Sequence, residues 1–226
     1  MKSKLLIMGV LCAVAFTANA QTEKGKSLIN GAVGFSTNKN ESNSTGFSPT
    51  NQKSTSFFVT PRLGYFVANN LVIGLGLGYT QNNNTSSSIN VNSPNIIYYN
   101  QTSKQHTYSI NPFLRKYVDI VDKFKFFGQF NVGVGFGKVD NKYEYNTQTT
   151  GTTENSSKFT SYNAAISPGF AFFPSKRWAI EFSFPLLNYN KTKPKDESTN
   201  VVLSTDESFT FATSSFNPSI GFNFHF

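Results

Sequence analysis

Leu71-Val72-Ile73-Gly74-Leu75-Gly76-Leu77-Gly78-Tyr79-Thr80 is the stretch on which the fold turns. Leu71, Ile73, Leu75, Leu77 and Tyr79 alternate with Val72, Gly74, Gly76, Gly78 and Thr80. Successive side chains of a strand point to opposite faces, so this pattern predicts a strand with one apolar face and one small or polar face. Phe126, Phe130, Val132, Val134 and Phe136 repeat the pattern against Gln129, Asn131, Gly133, Gly135 and Gly137. Working outward, further strands are expected near 26–37, 54–67, 105–118, 157–173, 177–189 and 208–226, eight in all.

The connections alternate in length. Short turns fall at Ala68-Asn69-Asn70, Asp119 to Lys123 and Pro174 to Lys176, whereas long polar segments fall at 38–53, 82–104, 138–156 and 190–207. Short–long alternation in an antiparallel meander is the pattern of transmembrane β-barrels, with short periplasmic turns and long extracellular loops. Ten residues at ~3.3 Å each, tilted by ~40°, rise roughly 25 Å, the height of the apolar band of such barrels. A soluble β-sandwich also alternates, but its polar face carries many charges. Here Glu181 is the sole acidic residue within the expected strands, and the second face is Gly, Ser, Asn, Thr and Gln. Small uncharged groups suit a crowded barrel interior. Tyr79, Tyr108 and Tyr162 toward the loop ends, with Tyr65, Phe126, Phe172 and Trp178 toward the turn ends, form two aromatic levels of the kind found at lipid–water boundaries.

The first twenty residues predict export. Lys2 and Lys4 precede an apolar run from Leu5 to Ala18, and Ala18-Asn19-Ala20 is a small-residue cleavage site. The expected organisation is a signal peptide over 1–20 and one barrel domain over 21–226. Cys12 lies in the segment to be removed, which leaves no cysteine for disulfides. Of 20 basic residues, Lys2 and Lys4 also leave, so 18 face 12 acidic ones, a net +6. The lysines are scattered and form no stripe, so a nucleic-acid partner is not expected.

An apolar residue, a small polar one and proline recur in Val59-Thr60-Pro61, Ile110-Asn111-Pro112, Ile166-Ser167-Pro168 and Phe216-Asn217-Pro218, spaced by 51, 56 and 50 residues. This is one hairpin per repeat. Proline withholds a ladder donor, so bulges at matching heights are expected there.

The terminus is the most specific motif. Ser219, Gly221, Phe224 and Phe226 fit polar-x-Gly-x-x-aromatic-x-aromatic, with phenylalanine last. This resembles the assembly signal of outer-membrane barrels, which implies the barrel-assembly machinery as a partner during insertion. Pro61-Arg62-Leu63-Gly64-Tyr65-Phe66 and Ile220-Gly221-Phe222 likewise resemble the Gram-negative outer-membrane β-barrel domain family, related to small OmpA/OmpX-type and OmpW-type barrels. The resemblance covers the mature chain and implies an eight-stranded all-β barrel in the outer membrane, with lipid around it. It does not imply one activity.

Signals for chemistry are thin. The sequence has no cysteine nucleophile, phosphate loop or metal-ligand cluster, so no catalytic residue, cofactor or metal is expected. His225, at the end of the last strand, reads as a rim residue. His106 lies toward the outer leaflet with Ser109 nearby, the residue types of some lipid A deacylases; three apart on a strand, they face opposite sides. Arg62, Arg115 and Glu181 share the inward parity four to six residues from their turns. Buried charge is costly unless paired, so Glu181 is expected to pair with one or both arginines, with Gly74, Gly76, Gly133 and Gly135 making room. Ile96, Ile97, Tyr98 and Tyr99 form an apolar patch in the second long segment, expected either to contact an external molecule that the sequence does not name or simply to extend the barrel wall beyond the membrane. The expectation is a monomeric structural or adhesive barrel with a filled interior; the alternatives are an OmpW-type conduit for small apolar molecules and a lipid A-modifying enzyme.

Overall fold

The structure is a computed structural model that describes residues 22–42, 50–90, 97–146, 150–196, 199, 201–211 and 219–226. The expected signal peptide, Pro218 and Ile96 lie outside the described residues. Ten strand segments follow one another: β1 (Ser27–Ser42), β2 (Thr50–Ala68), β3 (Leu71–Asn90), β4 (Ile97–Val121), β5 (Phe124–Asn146), β6 (Thr150–Phe172), β7 (Trp178–Ser183), β8 (Leu187–Asp196), β9 (Asp206–Phe211) and β10 (Ser219–His225). All ladders are antiparallel, and eight of the strands form a ring: β1 to β6, then β7, β10 and back to β1. β8 continues along β6 above β7, and β9 pairs with β8.

The tight turns follow from local chemistry. Ala68 and Leu71 pair across Asn69-Asn70, with Asn70 at φ 64°. Asparagine tolerates this left-handed conformation, which a two-residue hairpin needs. Asp122-Lys123 likewise joins Val121 to Phe124 in two residues, without a left-handed position.

Three expectations need correction. The long polar segments are mainly strand: 82–90 pairs with 97–105, and 138–146 with 150–158. Serine, threonine and asparagine there continue the ladder and bond across it, as Ser87 Oγ does to Asn100 Oδ1 at 2.9 Å and Ser56 Oγ to Asn82 Oδ1 at 2.7 Å. At 25 residues, β4 is more than twice the length needed to cross the apolar band. The expected strand 177–189 is split into β7 and β8. Its register along β6 shifts by one residue across Phe184-Pro185-Leu186, from Gly169↔Ser183 to Ile166↔Leu187. Of the expected strand 208–226, the described residues form β9 and β10, and 212–218 lie outside them.

The prolines are the third. At Pro61 and Pro112 the register does not shift; the ladder to the next strand simply lapses, between Val59↔Tyr79 and Arg62↔Gly76 and between Ile110↔Val134 and Phe113↔Asn131. Among the described prolines of the repeat, only Pro168 lies at a shifted register, opposite the β7–β8 break. The irregularities in the β2–β3 and β4–β5 ladders fall beside the turns, at Phe66/Ala68 and Asp119/Val121.

The outward face is apolar as expected: Leu63, Tyr65, Ile73, Leu75, Leu77, Tyr108, Ile110, Phe130 and Phe136 are exposed. The inward face departs from expectation at the turn end. Leu28, Phe66, Val72, Phe113, Tyr117, Phe127 and Phe173 are buried there in one cluster. The small polar residues lie farther up the same face. A narrow barrel buries whatever points inward, so bulk at the turn end and small groups above divide its interior into two zones.

Candidate functional site: the charged interior and the upper wall

At the boundary of the two zones lies an ion pair. Arg115 on β4 and Glu181 on β7 meet at 2.5 Å, with side chains only 4% and 6% exposed. Arg115 Nε donates to Gln129 Oε1 at 2.7 Å and Nη1 to Tyr117 Oη at 2.8 Å, while Tyr117 Oη donates to Glu181 Oε1 at 3.0 Å. The guanidinium carbon also lies 4.4 Å from the centroid of the Phe127 ring. Acceptors and a π face thus surround the buried guanidinium while two donors meet the carboxylate, which is how such a pair is accommodated in a low-dielectric site.

Arg62 lines the same cavity but, among the described residues, is not within ion-pair distance of Glu181. The stagger explains this. Arg62 pairs with Gly76 while Arg115 pairs with Val72, so Arg62 stands four residues farther up β3; counting from the turns ignored the shear of the barrel. Of the glycines expected to make room for the charges, only Gly76 does so, beneath the stem of Arg62. Gly74 accommodates the Phe113 ring, Gly133 the amides of Asn111 and Asn163, and Gly135 the hydroxyl of Ser161.

Below the pair, Tyr117 packs on Phe66, Phe127 and Phe173, with centroids 6.1, 5.7 and 6.4 Å away. His225 is buried between Phe66 and Phe173, at 5.7 and 5.3 Å, and is not a rim residue. The turn end itself is crossed by the segment leading into β1, a feature with no sequence periodicity to announce it. Thr22 O accepts from Asn70 N at 2.8 Å, and Gly25 N donates to Phe66 O at 2.9 Å. Lys125 Nζ reaches Thr22 Oγ1 at 2.8 Å and Asp119 Oδ1 at 2.5 Å. This contact holds the Asp119 carboxyl below the usual carboxylate range.

Above the pair is a cavity of about 660 Å³, lined inside by Asn30, Thr60, Arg62, Gln129 and Asn131. Outward-facing Val33, Ile220 and Phe222 border it too. They do so because the β1–β10 ladder stops at Asn30↔Asn223, although both strands continue. Among the described residues no ladder joins β9 to β1 higher up. At the turn end the seam is closed: Ser27 N donates to Phe226 O at 2.7 Å and Phe226 N to Ser27 O at 3.0 Å. The terminal motif therefore supplies the closing strand, with Phe224 packed on Trp178 at 5.0 Å and on Phe226 at 6.0 Å. Gly221 pairs with Glu181, and Ser219 with Ser183.

A closed ring of eight antiparallel strands, apolar outside, is the architecture of an outer-membrane barrel. The sequence profile of the outer membrane protein beta-barrel domain matches residues 6–224. The chain belongs to that family. Its place is therefore the outer membrane, and no single activity follows from membership. The crystal structure of the outer membrane protein OprG from Pseudomonas aeruginosa is similar at 13% identity, over 93% of this chain and 99% of that one, with a TM-score of 0.42. Ail, the attachment invasion locus protein of Yersinia pestis, is similar at 12% identity over 90% and 99%, with a TM-score of 0.29. No curated protein matches by sequence.

The upper wall holds a second concavity, of about 480 Å³, around Tyr98, Tyr99 and Tyr145. The Tyr99 and Tyr145 rings stack at 6.5 Å and 12°, and Tyr143 lies 6.3 Å from Tyr99. Asn100 Nδ2 donates to Glu144 Oε2 at 3.1 Å beside them. Of the expected contact patch the structure thus places Tyr98 and Tyr99 at a cleft; Ile97 begins β4. Its partners on β5 were missed because 138–156 was read as loop. His106 and Ser109 do face opposite sides: Ser109 Oγ accepts from the lumenal Asn111 at 3.0 Å, and His106 shares the parity of exposed Tyr108.

Proposed function

We propose that this barrel is a non-catalytic outer-membrane protein that binds an external molecule through its upper wall, with an interior closed to ions. The observation that carries the reading is the tyrosine cleft at Tyr98, Tyr99 and Tyr145. Tyrosines present large contact area with few rotatable bonds, and Asn100 and Glu144 beside them add polar specificity. A strand-built wall also holds such groups more rigidly than a free loop. The closed interior is supported by the buried aromatic cluster and by the Arg115–Glu181 pair above it.

The test is adhesion. Cells displaying the native barrel should bind members of a panel of immobilised glycans and matrix proteins, and the Tyr98→Ser/Tyr99→Ser variant should lose that binding while still migrating as a folded barrel. Equal binding by the two, or none by the native barrel, would remove the adhesive reading. One observation favours the conduit instead: the 660 Å³ cavity borders apolar Val33, Ile220 and Phe222 where the β1–β10 ladder stops. Barrel-dependent uptake of a small apolar solute, unaffected by the serine substitutions, would select that reading.

A further inference from the structure

The outward face carries a row of basic residues that neither the interior nor the tyrosine cleft uses. His106 pairs with Lys138, Lys138 with Lys158, and Lys158 with Lys195, so four neighbouring strands place basic groups side by side. The row one step nearer the turns on the same face is Tyr108, Phe136, Thr160 and Lys193, and the next is Ile110, Val134, Tyr162 and Lys191. Tyr108, Phe136 and Tyr162 are exposed there. The basic row thus stands immediately above an aromatic belt, at the level of lipid headgroups.

Like charges directly opposite one another across a ladder are destabilising. Neighbouring strands lie ~4.8 Å apart, so three lysines in successive ladder positions span only about 10 Å. Lys138 reaches Asp140 at 3.1 Å and Lys191 reaches Glu207 at 3.1 Å, and the row itself still places three lysines and a histidine side by side. A cleft of about 400 Å³ lies among them, lined by His106, Tyr108, Phe136, Lys138, Lys158 and Lys195. Its lower rim is apolar and its upper rim cationic. That is the complement of an amphiphile whose acyl chains run down the wall and whose phosphate lies at the surface.

We propose that Lys138, Lys158 and Lys195, with His106, bind the phosphate of an outer-leaflet glycolipid, while Tyr108 and Phe136 contact its first acyl carbons. The site is independent of the adhesion reading: it lies on a different set of rungs and needs no external ligand.

Native mass spectrometry of the full barrel, after exchange in detergent against defined lipids, tests it. The native protein should retain phosphorylated lipid A in preference to both dephosphorylated lipid A and phosphatidylcholine, and its thermal transition should rise with the phosphorylated lipid alone. Lys138→Gln/Lys158→Gln/Lys195→Gln should lose both effects while keeping its folded-barrel migration, and the corresponding arginine variant should keep both. Equal retention of the phosphorylated and dephosphorylated lipids would overturn the proposal, as would undiminished retention by the glutamine variant. A rise in the transition with inorganic phosphate alone would overturn the lipid as the source of the phosphate. If the triple glutamine variant does not fold, Lys158→Gln should show the same loss in smaller degree, and native-like retention by it would count against the site.

Discussion

Glu181 accepts from Arg115 and from Tyr117 with almost no access to solvent, so its removal strands a buried guanidinium. Loss of one partner of such a pair costs on the order of 3–5 kcal/mol. Glu181→Ala should therefore unfold at clearly lower denaturant, followed through the single tryptophan, Trp178, and Glu181→Gln should fall between it and the native protein because it can still accept from Tyr117. Asp119, on the turn side of the apolar band, gives a pH dependence of known sign. Its folded pKa is lowered mainly by the hydrogen bond from Lys125, so its contribution is present above the ordinary carboxylate range and lost as pH falls through the lowered value. Native protein should lose stability on acidification below about pH 4, the ordinary aspartate value, whereas Asp119→Asn should already be weakened at neutral pH and respond less; parallel acid profiles for the two would dismiss the contact. At this scale parity was legible and distance was not. Alternation alone placed Arg115 and Glu181 on one inward face, but which arginine met the glutamate depended on stagger, and no residue encodes stagger by itself.

Strand existence was written plainly in 71–80 and 126–137, because an apolar face against glycines admits few other readings. Strand length was not. Segments such as Gln81-Asn82-Asn83-Asn84-Thr85-Ser86-Ser87-Ser88 have the composition of loops, and above the membrane no lipid selects an apolar face, so hydropathy falls silent while the ladder continues. The difference is measurable. Lys104 is paired with both Asn83 and Asp140, and Lys142 with both Thr102 and Glu154. A protease needs an extended backbone free of such partners, so trypsin added to intact cells should spare Lys104 and Lys142 in the folded barrel and cut both after heat unfolding. Rapid cleavage after Lys104 in the native protein would restore the loop reading of 82–104. The prolines belong here too. Pro61 and Pro112 lie where a strand holds one neighbour and briefly releases the other, which a residue without an N–H tolerates. Their recurrence every hairpin was visible in sequence; the absence of a bulge was not, since register is a property of two strands.

A ring of eight strands encloses an interior just wide enough for side chains to fill, so closure or passage is decided by which residues point inward at the narrowest level. The sequence suggested small polar groups throughout, because the glycine-rich stretches dominate its alternation. Yet the bulk comes from single residues on strands whose outward faces are also aromatic: Phe172 and Phe173 are neighbours, one exposed to the membrane side and one buried within. This adjacency makes a controlled experiment possible. Phe173 packs against Tyr117 and His225 and lies 5.9 Å from Lys125 Nζ, so its truncation would empty space in the proposed seal. Phe173→Ala should cost about 3–5 kcal/mol, the usual range for a buried phenylalanine, and should raise ion conductance across a planar bilayer from a near-zero native level. Phe172→Ala removes the same atoms from the lipid-facing side and should leave conductance at the native level. If native protein conducts steadily, or if the two alanine variants leak alike, the aromatic cluster is not the barrier. Ions would then have a route past it, and the cavity beside Val33, Ile220 and Phe222 would be the place to look for a conduit.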